Sequence, residues 1–396
     1  MELNLPQLKK LELVSHALEL TELPRLVLPG LTHFASQYLL PHSFLPAMLK
    51  MPLLEHVDID SSEVEDNGLD FAAGADARLV KAMKKGGWPK MSTFIFPVVS
   101  AAFLTAAQNW KQLEELSVRV PPNAHPNRVV SLLRAVPTLR YLELVRWPDE
   151  LVDAVAPAAD SKFALSESPP IRHELAKLVL EFGTDAVFRA MSFAALSKLA
   201  LRGMQLDELG IVLSSCPALR WLQLSDCKVR FDERTAGKHG KLEQFVIADA
   251  SQISADHVAA LVVSCPALVH LKVTAAQPRG LLLAALIARA PPQLQRLEIS
   301  NAFGFEPEQH PLDTSTLLRL LRRLPALQFV RLAGQSLPER SVKATLLRFR
   351  QTVPKSQRPL PQIYLQSQRV EYTDEQFSTD AYLASVGQEP HWMRLH

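Results

Sequence analysis

An α/β solenoid, a curved arc with parallel strands on its concave face and helices and irregular turns on its convex face, is the fold this sequence predicts. Leucine is the first reason: it supplies 66 of 396 residues, and hydrophobic residues make up 47% of the chain, enough for a large core. The second is a recurring unit, x-Leu-x-x-Leu-x-Leu, usually with proline two residues before the first leucine. Its clearest copies lie at residues 6–13, 137–144, 217–224, 266–273, 292–299 and 325–332. The third is spacing. The leading apolar residues are Leu8, Leu31, Leu54, Met91, Leu113, Leu139, Leu175, Leu196, Leu219, Leu242, Leu268, Leu294, Leu327 and Leu360, and most intervals between them run from 21 to 26 residues, the period of a leucine-rich repeat.

Each unit justifies its own elements. Side chains alternate across a strand, so in the copy at Leu219 the leucines 222 and 224 face the core while Trp221 and Gln223 face outward. Between strands a second pattern appears, such as Leu206, Leu209, Val212 and Leu213, or Val258, Leu261 and Val262, at the spacing of a helix face. Proline stands where the helix has ended and the chain turns into the next strand, a place where a missing amide donor costs least. Burying one leucine contributes about 1.5 to 3 kcal/mol. A single coil leaves both flanks of its core wet, however, so the units must stack into one array.

The array is expected to cover residues 1–366 as about 14 repeats, leaving 367–396 as a tail or cap that docks in part. Four longer intervals interrupt it. Residues 61–89 are acidic and then lysine-bearing; 147–170 are rich in Ala, Ser, Asp and Pro and read as a partly disordered excursion; 301–313 follow; and 334–359 should hold a helix around 341–350. The first coil begins at once with Leu3, Leu5, Leu8, Leu11 and Leu13 and no polar cap, so something upstream, a partner or a second copy is expected to cover it.

Composition excludes several settings. Forty-three Lys and Arg against 41 Asp and Glu give a net charge of +2, too balanced for a protein that works by coating nucleic acid or an anionic membrane. The longest clean apolar run, residues 281–288, is far below the ~20 needed to cross a bilayer. The first ten residues lack a signal-peptide layout. Three cysteines cannot all pair, and no Asn-x-Ser/Thr site occurs, so a cytoplasmic or nuclear address is expected.

No catalytic constellation emerges. His173-Glu174 lacks the following x-x-His of a zinc protease, residues 237–241 (Gly-Lys-His-Gly-Lys) lack the spacing and hydroxyl of a phosphate loop, and Gly-x-Ser-x-Gly is absent. No catalytic residue, cofactor or metal is therefore expected. Cys216 and Cys265 hold equivalent repeat positions and read as small buried residues at the coil corner, with Cys227 as another corner residue.

Two segments carry a family resemblance. Residues 214–224 (Ser-Ser-Cys-Pro-Ala-Leu-Arg-Trp-Leu-Gln-Leu) and 263–273 (Val-Ser-Cys-Pro-Ala-Leu-Val-His-Leu-Lys-Val), the latter preceded by Ile253-Ser-Ala-Asp-His-Val-Ala-Ala-Leu, resemble the cysteine-containing, ribonuclease-inhibitor-like repeats of F-box/leucine-rich-repeat proteins. The resemblance implies a non-enzymatic protein-recognition scaffold, the target-binding part of an F-box-like ubiquitin-ligase substrate receptor. The F-box itself is not seen ahead of the repeats, so the Skp adaptor is a partner only if an F-box lies upstream. A stand-alone regulator or inhibitor that binds a protein partner is the alternative, and an enzyme with an unrecognised site is a third reading.

The candidate binding residues are the outward-facing strand positions, which a curved array presents side by side. At the third position of the unit they run Lys10, His33, His56, Thr93, Glu115, Tyr141, Lys177, Lys198, Trp221, Gln244, His270, Arg296, Phe329 and Gln362. At the fifth they run Glu12, Ala35, Asp58, Ile95, Ser117, Glu143, Val179, Ala200, Gln223, Val246, Lys272, Glu298, Arg331 and Tyr364. Tyr141, Trp221, Phe329 and Tyr364 are large aromatics at positions expected to be exposed. From Lys177 onward the cations Lys177, Lys198, Lys272, Arg296 and Arg331 face only Glu298. Aromatics and arginine dominate binding hot spots, so Tyr141, Lys177, Lys198, Trp221, Gln223, His270, Lys272, Arg296, Phe329, Arg331 and Tyr364 are expected to hold a protein partner with an acidic or phosphorylated surface. The competing reading is a solvated sheet face whose aromatics are covered by loops. A further run of ten basic residues against two acidic ones over 313–358 is expected mostly on convex helices.

Overall fold

A computed structural model describes residues 3–13, 26–36, 41–59, 75–97, 99–120, 126–146, 171–181, 186–231, 238–248, 253–275, 279–301, 314–332, 349 and 362–364. The expected excursion at 147–170, the helix around 341–350 apart from Phe349, and the tail at 367–396 lie outside these residues.

Among the described residues the leucine units form one all-parallel sheet of fourteen strands. Two-residue strands β1 (Leu3–Asn4) and β3 (Leu26–Val27) pair with each other beside its start, and further along β9 (Ile171–His173) pairs with β11 (Met191–Phe193) and β13 (Gln205–Leu206) with β15 (Lys228–Val229). The sheet then runs β2 (Lys10–Leu13), β4 (His33–Ser36), β5 (His56–Ile59), β6 (Thr93–Phe96), β7 (Glu115–Val120) and β8 (Tyr141–Arg146). It continues through β10 (Lys177–Leu180), β12 (Lys198–Arg202), β14 (Trp221–Ser225), β16 (Gln244–Ala248), β17 (His270–Ala275), β18 (Arg296–Asn301), β19 (Phe329–Leu332) and β20 (Gln362–Tyr364). Each strand between the edges β2 and β20 pairs with the preceding and following coil, and this topology is a leucine-rich-repeat solenoid.

Backbone hydrogen bonds show why the coils hold a common register. In coil after coil, two successive amides donate to one carbonyl of the coil before: Glu55 and His56 to Thr32, Arg220 and Trp221 to Ser197, Gln328 and Phe329 to Gln295. The donors are the residues just after each leading leucine, so the sequence anchor fixes the ladder.

Convex-side connections carry the helices α1 (Pro41–Met48), α2 (Ala75–Lys84), α3 (Ala101–Ala107), α4 (Pro126–Ala135), α5 (Ala186–Ala190), α6 (Leu209–Ser215), α7 (Ala255–Ser264), α8 (Arg279–Arg289) and α9 (Thr314–Arg323). Helices this short are marginal in isolation; they persist because their apolar faces, such as Leu209, Val212 and Leu213 in α6, are buried in the common core. The expected gap at 61–89 is in part a regular coil, since α2 falls within it. Arg319, Arg322 and Arg323 lie on α9, as the convex reading of the basic run requires; most of the other residues of that run lie outside the described residues.

The core is continuous from Leu28 to Phe349. It changes character along its length. In the first coils phenylalanine and tryptophan take the place of leucine: Phe34 stacks on Phe44 at 4.4 Å between ring centroids, and Phe94 meets Phe103 and Trp110, each at 5.1 Å. Before these, Leu8, Leu11 and Leu13 are only partly buried and Leu5 is exposed.

Candidate functional site on the concave face

The strand register assembles the outward-facing residues into two unbroken rows. Lys10, His33, His56, Thr93, Glu115, Tyr141, Lys177, Lys198, Trp221, Gln244, His270, Arg296, Phe329 and Gln362 stand opposite one another strand by strand. The second row, two residues on, contains Ser117, Glu143, Val179, Ala200, Gln223, Val246, Lys272, Glu298, Arg331 and Tyr364. All eleven candidate residues thus sit on one sheet face, seven in the first row and Gln223, Lys272, Arg331 and Tyr364 in the second; of Tyr364 only the strand position is described.

Their exposure differs from the sequence expectation. Tyr141, Trp221 and Phe329 are half-buried. Parallel neighbours are only about 4.8 Å apart, so a large ring in one coil lies against the long side chain at the same position in the next. The Lys177 ammonium stands 4.3 Å from the centre of the Tyr141 ring, and the Arg296 guanidinium 4.4 Å from that of Phe329, each a cation–π contact. Beside Trp221 the second row carries the small apolar residues Val179, Ala200 and Val246.

Three local clusters set the electrostatics. In the first, Tyr141 donates its hydroxyl to Glu143 Oε2 at 2.5 Å and Ser117 Oγ donates to the same oxygen at 2.8 Å. Burial and the Glu143 carboxylate push the Tyr141 phenol far above its usual range. Burial also pulls the Lys177 ammonium down, aided by Lys198 and opposed by Glu143 and Glu115. The second is an acidic stretch in which burial, then Asp58 and Glu143, raise the Glu115 carboxyl.

The third cluster engages one of the expected cations within the sheet. Glu298, with 9% of its side chain exposed, accepts from Arg296 Nε at 2.6 Å and lies 3.2 Å from His270 Nε2. Burial alone would raise its carboxyl, but the His270 and Arg296 hydrogen bonds and charges override that and bring it to about 2. Arg296 is therefore committed to Glu298 on one side and to Phe329 on the other, a strut within the sheet as much as a surface cation.

The cysteines occupy the corners. Cys216 and Cys265, three residues before Leu219 and Leu268, are fully buried at the ends of α6 and α7. Burial pushes the Cys265 thiol up to about 12 and that of Cys216 higher still. Cys227, pushed by burial to about 11, points its sulfur at the Leu201 and Ser225 carbonyls, each 3.3 Å away. Among the described residues no group of three His, Cys, Asp or Glu is arranged to hold a metal ion, and no helix is long and apolar enough to cross a membrane.

Sequence reasoning missed the buried histidines. His239, three residues before Leu242, lies with Nε2 2.9 Å from the Cys216 carbonyl and receives the Leu242 amide on Nδ1 at 3.2 Å. His173 makes the same pair of contacts, to the Val136 carbonyl at 3.2 Å and from the Leu175 amide at 3.0 Å. Both are coil-to-coil braces. For His239 the available signal was its place, a polar ring at a corner that other coils fill with Met51, Val136 or Cys216; His173 stands one residue later, two before Leu175.

No protein-family model matches the chain, and no curated protein matches it. Solved structures do. An internalin from Listeria monocytogenes is 12% identical with a TM-score of 0.37, the match covering 90% of this chain and 82% of that one. A leucine-rich-repeat protein of Leptospira interrogans is 15% identical with a TM-score of 0.35, over 90% and 89% of the two chains.

Proposed function

We propose that the chain is a non-enzymatic protein-recognition scaffold that grips a partner on its concave face, over the stretch from Lys177 to Arg331. The observation that carries this reading is the unbroken register that sets Trp221 and Phe329 among Lys177, Lys198, Lys272 and Arg331 on one rigid sheet face. Leucine-rich-repeat solenoids use such faces to bind proteins, and half-buried aromatics flanked by long cations are the side chains that dominate hot spots. Cations on this stretch favour an acidic or phosphorylated partner surface. The Cys216 and Cys265 units support the finer reading of a target-binding arm within an F-box-like ubiquitin-ligase receptor.

Affinity capture from cell extract followed by binding measurements on the captured partner tests both levels. Trp221→Ala is expected to weaken that partner by about 2 kcal/mol while circular dichroism stays unchanged; equal affinity for wild type and variant would remove the concave face as the binding surface. Recovery of a Skp adaptor with the natural full-length gene product supports the ligase reading. Its absence, with the target still bound, leaves a regulator that acts by occupancy.

A further inference from the structure

In the two rows the charge changes sign once, and the change coincides with a single strand boundary; one outward position further on, β7 carries Arg119 and β12 Arg202. From β5 to β8 the two rows hold Asp58, Glu115 and Glu143 and neither lysine nor arginine. From β10 to β17 they hold Lys177, Lys198 and Lys272 and no carboxylate. Beyond them Arg296 and Glu298 neutralise each other. The seam is Tyr141, whose hydroxyl is tied to Glu143 on its own strand and whose ring carries Lys177 from the next.

Like charges oppose one another within each sector and opposite charges help one another across the seam. Burial, then Asp58 and Glu143, oppose the ionisation of Glu115, which Lys177 favours; burial, then Lys198, oppose the charged form of Lys177, which Glu143 and Glu115 favour. A ligand that brings a cation to one sector and an anion to the other relieves both at once. Glu115 and Trp221 are four strands apart, so at a strand spacing of about 4.8 Å the centres of the sectors lie roughly 19 Å apart, a distance that about six extended residues cover. The cations of the central sector are lysines, spaced as separate point charges, without the converging arginine forks that give a phosphate bidentate recognition. Of the arginines, Arg296 is already committed to Glu298.

Resting on the reading of this face as the recognition surface, we propose that it takes an extended, unmodified polypeptide segment bearing two charge blocks of opposite sign. Lysines or arginines of the segment lie over Asp58, Glu115 and Glu143, and its aspartates or glutamates lie over Lys198, Trp221 and Lys272.

The test uses the full chain and labelled synthetic peptides: a lysine block and a glutamate block whose centres lie about six residues apart, each block alone, the same composition with charges alternating, and a version with phosphoserine in place of glutamate. The two-block peptide is expected to bind at least about tenfold tighter than either block or the alternating control. Glu115→Gln with Glu143→Gln should abolish the gain from the lysine block, and Lys198→Glu with Lys272→Glu the gain from the glutamate block. If the glutamate block alone or the alternating peptide binds as tightly, the two-block arrangement is wrong while concave recognition stands. Preference for the phosphoserine peptide overturns the unmodified segment in the same limited way. If no peptide binds, the proposal falls, and the Trp221→Ala measurement on the captured partner decides separately whether the scaffold reading falls with it.

Discussion

Glu298 shows how far a single side chain can depart from what its place in a repeat suggests. At the fifth position of its unit it should face solvent, yet it is nearly buried because Arg296, two residues earlier, and His270, one strand away, fold over it. Replacing it with alanine leaves the guanidinium and the imidazole side by side without their common acceptor. Charge-assisted hydrogen bonds contribute roughly 1.5 to 3 kcal/mol, so Glu298→Ala is expected to lower stability by about that amount in urea unfolding. The same residue gives a pH signature. Its folded carboxyl titrates near 2, below the ordinary 4.5, so its contribution is complete above the ordinary value and disappears as pH falls through the folded one. Wild type should lose more stability than Glu298→Gln between those limits. The pairing was latent in the sequence as Arg-x-Glu on one strand, but the third member required the register.

At the scale of the element, the coil corners do more than turn the chain. Three residues before the leading leucine most described coils bury a side chain, among them Leu28, Met51, Trp88, Trp110, Val136, Phe193, Cys216, His239, Cys265 and Leu324. Where that residue carries a ring N–H, the group reaches back to the preceding coil: Trp88 Nε1 donates to the Met51 carbonyl at 2.9 Å, Trp110 Nε1 to that of Gly87 at 3.1 Å, and His239 to that of Cys216 at 2.9 Å. An imidazole that also accepts the Leu242 amide on Nδ1 must be neutral, so His239 works only in one tautomer. His239→Ala is expected to cost about 1 to 3 kcal/mol for each buried backbone group left unpaired, measured by chemical unfolding, and His239→Gln should recover part of it. For His173, burial depresses the folded pKa below the ordinary 6.5. Its contribution is therefore full above 6.5 and declines as pH falls through the folded value. The exits of the strands are as regular: Gly203 after β12 and Asp226 after β14 both adopt positive φ, 58° and 52°, a conformation that glycine and aspartate tolerate best. The leucine spacing predicted strand and helix positions well, since periodicity governs them. The corner braces escaped it because one histidine in a polar loop and one in a buried corner look alike until the neighbouring coil is in place.

For the whole molecule, the two rows of the concave face were legible because a parallel sheet with one residue anchor per coil has no freedom to slip: moving a strand by one residue would turn every leucine outward. Exposure was not legible, since it depends on which long side chain in the next coil lies across each ring, as Lys177 does over Tyr141 and Arg296 over Phe329. The same nearest-neighbour logic governs stability. Leu222 and Leu224 of β14 are fully buried between the coils of β12 and β16, so Leu222→Ala should cost about 2 to 5 kcal/mol. In a linear array that loss is felt first by the adjoining coils and decays with distance. Hydrogen exchange read by mass spectrometry is expected to show faster exchange in β12, β14 and β16 of the variant, with β5 to β7 close to wild type. A uniform rise in exchange along the sheet would instead mean that the fourteen coils unfold as one cooperative body, and the aromatic first part of the core and the leucine-rich remainder would then share a single stability.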